Sequence, residues 1–134
     1  MGSPPGGIGP RSATNHAGEA ARVTKTFSWA ADAAGATMIV SGTEDGRKIK
    51  VLDYMLSIGA KDKQAELASS GAGPLSVIGE GTTITGLIKC LEVGIPFTQE
   101  GDPIVGIGEC AAGENLVVSG DSVGGGNVVY SLVP

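Results

Sequence analysis

Histidine occurs once in this 134-residue chain, at His16, and cysteine twice, at Cys90 and Cys110. That inventory excludes a His-rich metal site or a four-cysteine zinc site within one chain. It also leaves little for nucleophilic catalysis that relies on a paired histidine. Aromatic residues make up 4% of the chain and charged residues 17%, below the quarter of charged residues usual in globular domains. Nine basic residues face fourteen acidic ones, a net charge of −5, which argues against a grip on nucleic-acid phosphates. No apolar run approaches the roughly 18 residues of a membrane-crossing helix. The opening MGSPPGGIGPRS has no basic segment followed by an apolar one, so no signal peptide is expected. Gly6 stands where a myristoylation motif wants Ser or Thr. Two cysteines do not define a disulfide framework. Both sit among apolar neighbours, in LIKCLEV and GIGECAAG, and are expected to be small core fillers in a chain made in a reducing cytosol.

What the chain does have is glycine, 23 residues in all, and a hydrophobic fraction of 41%. A single domain of this length can bury about two-thirds of its unfolded surface, so a core is expected without metal or disulfide support. The composition divides the chain into residues 1–22 and 23–134. The first segment holds Pro4, Pro5, Gly6, Gly7, Gly9 and Pro10, with Ile8 almost alone as a large apolar side chain. Such a segment cannot offset its own ordering entropy, so order in it would have to come from a neighbour. It carries Arg11 and Arg22 against Glu19, a net +1, whereas the body carries seven bases and thirteen acids, a net −6. Fully extended, 22 residues reach about 70 Å, enough to cross an adjacent subunit.

The body reads as short strands separated by glycine-containing turns. Val23, Lys25, Phe27 and Trp29 alternate with smaller residues, the period of a strand. Further strands are expected at 37–41, 47–58, 64–69, 76–79, 83–91, 93–98, 104–107, 115–119 and 127–133, with turns at 31–35 and 42–46. Residues 61–69 have helical propensity, but the regular strand spacing on both sides favours a strand. The segment GDSVGGGN at 120–127 reads as a loop. Turn signals every 8–12 residues or so point to an all-β class, a small antiparallel sandwich following an extended N-terminal arm. In RKIKVLDYMLSI the apolar phase changes: Ile49 and Val51 share one face, Leu52, Tyr54, Leu56 and Ile58 the other. That switch predicts either a bulge near 51–53 or a strand covered on both faces. The second possibility would make Tyr54 and Leu56, with Phe27 and Trp29, subunit-interface residues.

Few motifs suggest chemistry. Gly120-Asp121-Ser122-Val123 looks like the start of an esterase serine block, but its histidine partner would have to be His16 in the arm. Carboxylates pair as Glu44 with Asp45, Glu100 with Asp102 and Glu109 with Glu114. Such pairs do acid–base work when their environments differ, and turn carboxylates can hold calcium, yet solvated acids in turns are ordinary. Phe27, Trp29, Tyr54, Phe97 and Tyr130 could form a sugar platform, although the core has first claim on so few aromatics. No catalytic residue, metal or cofactor is expected.

Several stretches resemble tailed-phage capsid decoration, or cement, proteins with a jelly-roll-like body. They are Ala31-Asp-Ala-Ala-Gly35, Met38-Ile-Val40, Gly46-Arg-Lys-Ile-Lys-Val-Leu52 leading into Tyr54, Gly94-Ile-Pro-Phe97, Glu109-Cys-Ala-Ala-Gly-Glu-Asn-Leu116 and Gly126-Asn-Val-Val-Tyr-Ser-Leu-Val133. The resemblance covers about three-quarters of the chain and contains no catalytic signature. It implies a homotrimer on the outside of the virion, seated on the major capsid protein and stabilising contacts between capsid subunits, with no nucleic-acid or membrane partner. Pro4, Pro5, Ile8, Pro10, Arg11, His16 and Arg22 of the arm would then contact the shell. Similar sandwiches in phage fibres imply a second possibility, a receptor- or glycan-binding module.

Overall fold

A computed structural model describes residues 21–30, 36–71 and 81–134. Strands are the only regular elements there: β1 (Val23–Trp29), β2 (Thr37–Val40), β3 (Lys48–Ile58), β4 (Gln64–Ser70), β5 (Thr82–Thr83), β6 (Ile88–Lys89), β7 (Phe97–Glu100), β8 (Gly108–Glu109), β9 (Asn115–Gly120) and β10 (Gly124–Val133). They form two antiparallel sheets. One runs β1-β10-β3-β7, with β8 also on β3; the other runs β2-β9-β4-β5, with β6 also on β4. Taken together, β5 and β6 act as one interrupted edge strand along β4, and β7 and β8 as another along β3. Counting each interrupted strand once leaves eight strands that switch sheets in the order of a jelly roll.

The core lies between the sheets. Ile49, Leu56, Leu67, Leu116 and Val128 are fully buried, with Phe27, Trp29, Tyr54, Cys90 and Cys110 in the same cluster. The phase change in β3 is a bulge. Val129 pairs with Asp53 and Tyr130 with Val51, leaving Leu52 without a cross-strand partner. The extra residue turns Ile49 and Val51 inward together with Tyr54, Leu56 and Ile58. Coverage by a second subunit is therefore not needed to explain the pattern. Phe27, Trp29, Tyr54 and Leu56 are at most 7% exposed within a single chain, so the interface assigned to them is corrected: these side chains build the sandwich core.

The glycine run read as a loop is also strand. Trp29 pairs with Gly124 and Phe27 with Gly126. The rings of Phe27 and Trp29 stack at 6.3 Å. A Cβ at Gly124 would stand 2.2 Å from the Trp29 ring, so glycine at that position lets the indole lie over the strand. Residues 64–70 are strand rather than helix. The strand expected over 83–91 is broken into β5 and β6, the one expected at 93–98 lies at Phe97–Glu100, and 104–107 is a turn closed by a bridge between Asp102 and Gly106. The expected turn at 31–35, the strand at 76–79, and the arm residues Pro4, Pro5, Ile8, Pro10, Arg11 and His16 lie outside the described residues.

Candidate functional site

The two interrupted strands lie on one flank of the sandwich, where Gly108 of β8 packs against the Ile84 side chain beyond β5. Each interruption throws out a short excursion, residues 84–87 from the second sheet and 101–107 from the first. Residues 90–96 cross between the sheets on the same side. Six large apolar side chains stand on these three segments: Leu87, Leu91, Val93, Ile95, Ile104 and Val105, each between 54% and 74% exposed. A monomeric surface normally scatters such residues singly; here they are concentrated on three segments of one flank.

The excursions are tied down. The Asp102 carboxylate accepts the N–H groups of Ile104 at 2.8 Å and Val105 at 3.0 Å. These backbone donors, helped by Lys50, hold its carboxyl below the usual carboxylate range. The Lys50 ammonium donates to the Ile104 carbonyl. Gly101 N–H and Ile107 N–H donate to the carbonyls of Leu52 and Val51, both at 2.8 Å. Around 84–87, Ile84 N–H donates to the Leu67 carbonyl at 2.8 Å and Gly86 N–H to Thr83 Oγ1 at 2.8 Å.

Beside this surface, a cleft of about 330 Å³ opens between β8 and β5, with Lys48, Ser69, Thr83, Glu109, Cys110 and Glu114 on its walls. The buried Ser69 hydroxyl accepts the Ala111 N–H at 3.0 Å and donates to Glu114 Oε1 at 2.6 Å. This chain fixes the Glu114 carboxylate at the mouth of the β8–β9 turn. Among the described residues no histidine stands between the two, and the carboxylate that accepts the Ser69 proton is a weak base. Cys110 lies behind Ser69. Burial pushes its thiol up to about 11; the Glu114 charge adds to the rise and the Ser69 hydroxyl opposes it. The neutral thiol is a packing group, not a reactive one. Cys90 is likewise buried and free.

The carboxylate pairs separate into different roles. Glu109 and Glu114 both stand on the walls of the cleft. Asp102 caps its own turn, while Glu100 pairs across the ladder with Asp53. Asp45 binds Arg47, Oδ2 to Nε at 3.0 Å. Among the described residues, no group of three or more His, Cys, Asp or Glu is placed to hold a metal ion. Asp121 donates its N–H to the Gln64 carbonyl at 3.0 Å, and neither it nor Ser122 lines the cleft. With Phe27 and Trp29 in the core and Phe97 and Tyr130 packed against it, the aromatics form no exposed sugar platform. Arg22 is exposed next to β1. Ser69 and Glu114 are 45 residues apart, and nothing local in the sequence announces their pairing. The apolar excursions were legible as hydrophobic residues but not as exposed ones. Compared with family models, curated proteins and solved structures, the chain finds no match.

Proposed function

We propose that this chain is a non-catalytic structural protein of a phage virion, a decoration protein that sits as a homotrimer on the outside of the head and braces contacts between major capsid subunits. The observation that carries the reading is the row of exposed apolar side chains on the interrupted-edge flank. A surface of this kind is stable in water when another protein covers it. The jelly-roll topology is common to capsid and lectin domains and supports the class without choosing between them. Burial of Phe27 and Trp29 removes the main support for the glycan-binding alternative. The arm supplies a second tether. Three arms on one axis would bind a symmetric lattice at high effective concentration.

The test is co-sedimentation of the full chain with empty heads of the encoding phage, together with its native mass. The expected outcome is saturable pelleting by a species three times the 13.3 kDa chain mass, weakened strongly when residues 2–21 are deleted. A chain that stays in the supernatant at saturating heads overturns the reading.

A further inference from the structure

The interrupted-edge flank has a chemical character that specifies its partner. Residues 84–114 hold one base, Lys89, and five acids, Glu92, Glu100, Asp102, Glu109 and Glu114, a net −4; Lys48 on the cleft wall and Lys50 against the Ile104 carbonyl bring the flank to −2. The apolar side chains of Leu91, Ile104 and Val105 rise from the middle of this acidic stretch. Resting on the decoration reading above, we propose that this flank is the body's docking face for the capsid shell, and that the shell surface it meets is apolar at its centre and rimmed by lysine or arginine.

Three arguments select that occupant. A second copy docking through the same flank would set like charge against like charge, which penalises self-association. A membrane would accept the apolar loops, but its anionic surface repels an acidic rim. A basic-rimmed protein surface satisfies both features, with the apolar centre supplying affinity and the rim supplying orientation and rate. The loops are also prepared for contact. The Asp102 cap, the Lys50 contact to the Ile104 carbonyl and the backbone bonds to Val51 and Leu52 hold Ile104 and Val105 outward before any partner arrives. Little ordering entropy remains to be lost on docking.

The test compares full-length wild type, Leu91→Asp/Ile104→Asp and Glu92→Lys/Glu100→Lys in head co-sedimentation at low and high salt. All four positions are exposed, so folding is checked by an unchanged urea midpoint. The apolar pair replaced by Asp is expected to lower affinity about tenfold or more, the scale of losing one to two central contacts. The charge reversal is expected to weaken binding at low salt and to flatten its salt dependence. Wild-type pelleting with both variants unchanged overturns the docking face and leaves the decoration reading standing on the arm. Wild type that does not pellet overturns both. Self-association of the wild type that disappears in Leu91→Asp/Ile104→Asp assigns the flank to a second copy and overturns the heterologous partner.

Discussion

At the residue scale, Asn115 and Cys110 show how buried polar groups are placed. Asn115 is fully buried, and its Oδ1 accepts the Gly42 N–H at 2.6 Å across 73 positions of sequence. That bond joins the turn after β2 to the start of β9. Loss of the side chain leaves a buried donor unpaired, so Asn115→Ala is expected to lower stability by about 2 kcal/mol, measured by urea denaturation. Cys110 gives a pH prediction. Its folded-state thiol ionises near 11 against an ordinary value of 9.0. The unfolded chain therefore ionises first as pH rises, and the stabilising preference for the neutral thiol, intact below 9.0, is lost up to about 11. Burial of Tyr54 raises its phenol and adds in the same direction. Denaturation midpoints should fall between those pH values in the wild type and fall less in Cys110→Ala. An equal fall would show that the thiol does not contribute. Both cysteines were legible as core fillers because apolar residues flank them; the Ser69–Glu114 contact was not, because it depends on how the sheets meet.

At the scale of elements, the β3 bulge and the β10 glycines carry the lesson. The apolar phase change in β3 is a local property, since an inserted residue turns the following side chains to the other face. It could be read from sequence as a bulge or as double coverage, and cross-strand register decides for the bulge. The glycines of 124–126 carry no local strand signal. Gly124 is strand because the Trp29 ring, far earlier in the chain, lies over it, and Gly126 because the β3 backbone passes close by. A Cβ at Gly126 would lie 1.9 Å from the Met55 carbonyl oxygen. Gly126→Ala is therefore expected to destabilise by about 2–4 kcal/mol through displacement of β10 from β3, seen as a lowered melting temperature. A neutral result would mean that β10 can shift without loss. Gly106 is required for a different reason. Its φ of 74° lies in the left-handed region, which closes the 102–106 turn and presents Ile104 and Val105.

At the scale of the molecule, the sandwich closes its own core and leaves one flank unfinished. Interrupting both edge strands on that flank blunts them as templates for edge-to-edge pairing, while the excursions so made carry the exposed apolar residues. Any contact between copies in the proposed trimer therefore lies away from the buried side chains of Tyr54 and Leu56. Leu56 is fully buried, and Leu56→Asp is expected to abolish folding, since an unpaired carboxylate would enter the core. Loss of the folded near-ultraviolet signal checks this; a well-folded monomer would restore Leu56 to a subunit interface.

The all-β class, the core placement of the cysteines and the phase change of β3 are legible along the chain. Each of these follows from composition or from the two-residue period of a strand, which acts between neighbours in the chain. The interruption of the edge strands, the inclusion of the glycine run in β10, the burial of all four residues read as interface, and the placing of Glu109 and Glu114 on one cleft emerge only in the packed sandwich. These depend on which strand lies beside which and on the side chain that faces each position across the sheets. Hydrophobicity along the chain says that Ile104 and Tyr54 are apolar; only the packed sandwich says that Tyr54 is inside and Ile104 is out.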